Sequence, residues 1–111
     1  MTKMIDGMFA AATSSVLRDE IRAKMLATPQ HVVASALEGM FSLDLGEARF
    51  DLPVMAIVAK RETSRAGYEE YLRRFFPNLR AYQEWENVGH FLMMEQPEKF
   101  NAALVEFLER Q

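Results

Sequence analysis

The feature that most constrains this chain is the run Val54-Met55-Ala56-Ile57-Val58-Ala59, six apolar residues directly behind Pro53. A half-exposed strand alternates apolar and polar residues, and this run does not. Short, continuous and apolar, it fits a strand covered on both faces, as in a parallel sheet. The second half of the chain supplies part of what such a strand needs. Leu79, Ala81, Gln83 and Trp85 alternate with Arg80, Tyr82 and Glu84, the pattern of a half-exposed edge strand. Between the two runs, Tyr68, Tyr71, Leu72, Phe75 and Phe76 mark the apolar face of a helix that Ser64 can cap and Pro77 stops. A helix joining two strands implies a parallel pair with a right-handed crossover. Gln96-Pro97 opens a last helix with Phe100, Ala103, Leu104, Phe107 and Leu108 on one stripe.

The first half reads helical. Met4, Met8 and Phe9 are expected on one side of a short first helix. Thr13, Ser14 and Ser15 offer N-cap hydroxyls, and Leu17, Ile21 and Met25 follow at four-residue spacing to about Leu26. Thr28-Pro29 is a second start signal, ahead of the stripe Val32, Val33, Ala36, Leu37, Met40 and Phe41. Residues 42–52 form a polar connection. The fold class expected is therefore α/β: N-terminal helices, then a β-α-β-α unit with a parallel strand pair. Two strands alone make a poor sheet, and a strand as apolar as 54–59 is not expected to keep an open edge. The sheet is expected to be completed by oligomerisation.

With 111 residues the chain suits a single domain. Its net charge of −3 argues against a nucleic-acid partner, which needs a basic footprint. Lys60, Arg61, Arg65, Arg73, Arg74 and Arg80 do gather in the middle, but Glu62, Glu69, Glu70 and Glu84 interleave them as on solvated faces. The absence of cysteine excludes disulfides, thiolate metal sites and thiol nucleophiles. No apolar run reaches the 18 or so residues of a membrane span, and Asp6 interrupts the only N-terminal stretch that resembles a leader. A cytoplasmic protein without a membrane partner is the expectation.

The stretch Leu52-Pro53-Val54-Met55-Ala56-Ile57-Val58, then Tyr68 to Phe76, Leu79 to Trp85, Val88-Gly89-His90-Phe91-Leu92 and Glu95-Gln96-Pro97-Glu98-Lys99-Phe100 resembles the C-terminal portion of the α/β-hydrolase fold family. The resemblance covers residues 51–111 as a core segment, and residues 1–50 are similar to the helical cap segment that precedes it. The whole is expected to be one truncated hydrolase-like domain. The resemblance implies that His90 stands where the family keeps its catalytic histidine, on a loop after the last strand. Such a loop gives a general base a positioned yet mobile ring. It also implies that Glu62 stands near the acid's position, with Ala59 where the family often has glycine. The residues themselves leave two roles open for Glu62, since an ion pair with Lys60, Arg61 or Arg65 suits it equally.

The sequence departs from the family at the nucleophile. The glycines are Gly7, Gly39, Gly46, Gly67 and Gly89, and no pair brackets a serine as a Gly-x-Ser-x-Gly elbow requires. The oxyanion-hole loop, upstream of the elbow in the family, has no counterpart either. His31 and His90 are the only histidines and lack a metal-ligand pattern, so neither a metal nor a cofactor is expected. The methionines read as core or interface filler. Two functions compete. One is a non-catalytic oligomeric or binding protein, with a homodimer or higher oligomer formed through a sheet edge or exchanged helices, and with room for a small-molecule ligand. The other is weak esterase-type hydrolysis with His90 as general base. Complementation of a separate polypeptide carrying the family's N-terminal half is a third arrangement.

Overall fold

A computed structural model describes residues 1–61 and 66–111. The elements run α1 (Thr2–Asp6), α2 (Ser15–Leu26), α3 (Gln30–Ser42), β1 (Val54–Ala59), α4 (Tyr68–Phe75), β2 (Leu79–Trp85), α5 (Leu92–Glu95) and α6 (Pro97–Glu109). N-terminal helices are followed by a β-α-β-α unit, and the two strands pair in parallel, as the sequence pattern requires.

Each element starts and stops for a local reason. In α2, Ser14 is extended and its hydroxyl accepts the Leu17 N–H at 3.2 Å, a side-chain N-cap. Ile21 is the buried centre of the helix, with Leu17 and Met25 half-buried one turn away on either side. Thr28 behaves differently from the expected cap. Its hydroxyl reaches back to the Lys24 carbonyl at 3.5 Å, and Pro29 itself takes the N-cap position of α3. The first helix is also shorter than the stripe Met4, Met8, Phe9 implies. It ends at Asp6 with Gly7 as its C-cap, and Phe9 lies beyond it against Phe91, ring centroids 6.2 Å apart. Helix α4 opens after Gly67, whose φ of +80° is left-handed. The expected cap Ser64 lies outside the described residues. Tyr68 stacks on Tyr71 and Tyr71 meets Phe75 edge-on along α4, while Phe76 stacks on Phe50.

The register runs Val54↔Leu79, then Met55↔Ala81 through Ala59↔Trp85, so Arg80 is an extra residue on β2. Helix α6 covers the sheet face bearing Ile57, Ala59 and Trp85. Trp85, Val88 and Leu92 form the buried cluster, with Ile57, Ala59, Phe100 and Ala103 packed around it. Trp85 is 3 % exposed, donates its indole N–H to Gln83 Oε1 at 2.9 Å, and carries the Lys99 ammonium 4.2 Å above its ring. The exposed face matches the charge interleaving, since Lys60 pairs with Glu86 at 3.1 Å and Arg73 with Glu69 at 3.2 Å.

Much apolar surface stays uncovered. In α3 only Val33 and Leu37 are half-buried, and Phe41 is 80 % exposed. In α6, Leu104 and Leu108 lie outside the cluster that Phe100 and Ala103 join. All six residues of β1 are half-buried, none fully. The accessible surface is 8293 Å². A compact monomer of 12.8 kDa exposes about 6,300 Å², so the surplus is about 2,000 Å². The radius of gyration agrees, at 16.0 Å against about 13 Å for a compact chain of this length. No helix among the described residues is long and apolar enough to cross a membrane.

Candidate functional site around the Gly89-His90 loop

The loop after β2 is fixed by contacts with the N-terminal segment. Asn87 turns the chain with φ at +60°, a conformation asparagine tolerates better than most residues. Val88 and Gly89 are then buried. Gly89 lies so close to residues 8–10 that a Cβ there would meet the Met8 carbonyl, the Ala10 nitrogen at 2.9 Å and the Phe9 Cα at 3.0 Å. The glycine is required by this approach of two backbones, independently of any reaction. The His90 N–H donates to the Met8 carbonyl at 2.7 Å, which ties the loop down one residue further on.

A carboxylate completes the junction. Glu95 Oε2 accepts the Gly89 N–H at 2.7 Å, and Glu95 Oε1 accepts the Thr13 hydroxyl at 2.5 Å. The Thr13 oxygen in turn accepts the Ala10 N–H at 2.9 Å. Thr13 is 6 % exposed, so its hydroxyl needs these partners. Arg18 closes the outer side, donating to the carbonyls of Thr13 at 3.0 Å and Ala10 at 2.6 Å. The Gly-His and Glu-x-Pro parts of the motif are thereby joined. Glu95 sits at the end of α5, one short helical segment after Gly89, where its carboxylate returns to the glycine N–H.

His90 itself is exposed. Its ring stands edge-on to Phe91 at 5.2 Å and 85°. Among the described residues no side chain hydrogen-bonds the imidazole, so nothing described orients it as a triad acid would. Glu62, the residue at the acid's position, lies outside the described residues. His31 is exposed on α3, and no group of three or more His, Asp or Glu gathers among the described residues.

A cleft of about 590 Å³ opens at the C-terminal end of β1, lined by residues 9–12, Lys60, Arg61 and the 87–89 turn. Glu86 pushes the Lys60 pKa up, first by its hydrogen bond and then by its charge. The cleft's size suits a small ligand. His90 lies past the 87–89 wall and is not part of the lining. The structure thus brings together Thr13, Gly89 and Glu95, two of which the sequence marks only as a cap and a motif position. The 82 residues separating Thr13 from Glu95 leave no local signal of their bond. In comparisons with protein-family models, with curated proteins and with solved structures, nothing matches this chain.

Proposed function

We propose that this chain is a non-catalytic assembly module on a hydrolase-like scaffold, which completes its sheet and covers its helices by binding further polypeptide in the cytoplasm. The observation that carries this reading is a surplus of about 2,000 Å² of accessible surface, polar and apolar together, over a compact monomer, with Val16, Phe41, Leu43 and Leu108 among the exposed apolar side chains. A soluble monomer tolerates a contiguous apolar patch of a few hundred Å². Covering apolar area stabilises an assembly by about 25 cal/mol per Å², against the cost of association. Catalysis by acyl transfer in the family needs nucleophile and oxyanion hole together, and this sequence holds no Gly-x-Ser-x-Gly elbow. Size-exclusion chromatography with light scattering tests the reading. The expected mass at micromolar concentration is a multiple of 12.8 kDa. A cooperatively unfolding single copy would sink it.

One observation favours a second reading, His90-dependent ester hydrolysis: the histidine loop adjoins a cleft at the end of β1. A nitrophenyl-ester assay separates the two. The assembly reading expects equal rates for the wild type and His90→Ala, and a slower variant would favour the hydrolase.

A further inference from the structure

Among the described residues, β1 is bonded along one side only. Its Val54 N–H donates to the Asn78 carbonyl at 3.2 Å, and the Lys60 N–H just beyond it donates to the Trp85 carbonyl at 2.8 Å. Backbone groups alternate sides along a strand. Val54, Ala56, Val58 and Lys60 therefore direct theirs to β2, and Met55, Ile57 and Ala59 direct theirs to the opposite edge. The order β1-β2 places no strand there among the described residues. Proteins guard such an edge with a lysine, a proline or a bulge on the edge strand. None lies within Val54–Ala59, and the one bulge belongs to β2.

The ends of the strand are charged with opposite sign, Asp51 before it and Lys60-Arg61 after it. A copy aligned parallel would lay like charges beside each other, whereas an antiparallel copy centred on Ile57 sets Asp51 diagonally across from Arg61 of the second copy. Antiparallel is also what a two-fold axis normal to the sheet produces. The surplus of about 2,000 Å² over the whole chain leaves room for the roughly 800 Å² that a standard interface takes from each partner. Centring the pair on Ile57 engages all three outward-facing residues. Sliding it two residues toward the N-terminus would bring Pro53, which has no N–H, into the ladder.

We propose that β1 pairs antiparallel with β1 of a second copy about a two-fold axis at Ile57, making a four-stranded β2-β1-β1-β2 sheet in which Met55 faces the partner's Ala59. The proposal rests on the assembly reading and specifies the surface and register. In this pairing Ile57 faces its own symmetry mate, with side chains on one face and Cα atoms about 5.5 Å apart. Both α6 helices then lie on the same side of the joined sheet.

The chain has no cysteine, so an introduced thiol is the only one present. A disulfide spans Cα separations of about 4.4–6.8 Å, which Ile57→Cys meets across the axis. Met55→Cys sits four residues from its own copy, about 13 Å along the strand. Under mild oxidation followed by a non-reducing gel, Ile57→Cys should cross-link at least tenfold faster than Met55→Cys or Ala59→Cys alone. A mixture of Met55→Cys and Ala59→Cys should match it, and reads the same register if Ile57→Cys fails to fold. Equal self-linking by all three variants would mean parallel stacking and overturn the proposal. So would no linking in a chain whose mass is dimeric, which leaves the assembly reading standing on another surface. A monomeric mass removes both.

Discussion

The segment Met8–Thr13 and helix α3 belong to the same helical first half, yet the rest of the chain holds them very differently. The segment packs Phe9 on Phe91 and is fixed in addition by backbone contact at Gly89 and by hydrogen bonds through Thr13, Glu95 and Arg18. Helix α3 carries the longer apolar stripe and buries none of its residues fully. Apolar pattern gives a helix a side to bury and does not choose what buries it. Directional polar bonds and a close backbone fit do choose, because each has one geometry that satisfies it.

Substitutions can break or sharpen this contrast. Gly89→Ala should have the largest effect, because the Cβ it adds meets backbone that cannot swing aside. We expect a loss of about 3 kcal/mol in urea unfolding, and a variant as stable as the wild type would mean the junction is loose. Thr13→Val removes the hydroxyl from Glu95 and the acceptor from Ala10 N–H. A loss of about 2 kcal/mol is expected, with a double-mutant cycle against Glu95→Gln showing coupling between the two sites. Phe41→Ser, at a residue 80 % exposed on α3, should shift stability by no more than about 0.5 kcal/mol. A larger loss would show that this helix is covered in solution.

The last expected effect is confined to alkaline pH. Burial, then the hydrogen bond to Glu84 at 3.2 Å, raises the Tyr82 pKa from 10.0 to about 12. A raised pKa means that the folded chain holds this proton more tightly than the unfolded one. The stability it contributes is present below pH 10 and is lost as pH rises from 10 to 12. Tyr82→Phe should flatten that part of a stability–pH curve, and an unchanged slope would assign the loss to other groups.

The strand pair, its parallel sense and the helix between were legible because periodicity and punctuation agree there. Pro53, Pro77 and Gln96-Pro97 bound elements whose interiors keep one period each. The sequence offered Thr13, Ser14 and Ser15 alike as caps of α2, and Ser14 is the one that takes the role. The Thr28 cap was not borne out: its hydroxyl, two residues past the end of α2, donates back to the Lys24 carbonyl, and Pro29 takes the N-cap position of α3. The candidate site was legible in part. Val88-Gly89-His90 stands out as a motif, but the role of its glycine depends on residues 8–10, nearly the whole chain away. Glu95 read as the start of a helix signal, since nothing local distinguishes a carboxylate that turns back to a glycine N–H from one that faces solvent.

Trp85, the single tryptophan of the chain, sits between β2 and α6 with an ammonium above its ring and its indole N–H engaged. Its fluorescence is therefore a local optical probe of that joint. Emission should move to longer wavelength when α6 lifts from the sheet and stay unchanged while α3 detaches. A transition monitored at this chromophore and one monitored by circular dichroism would then separate in denaturant, with helical signal fading first.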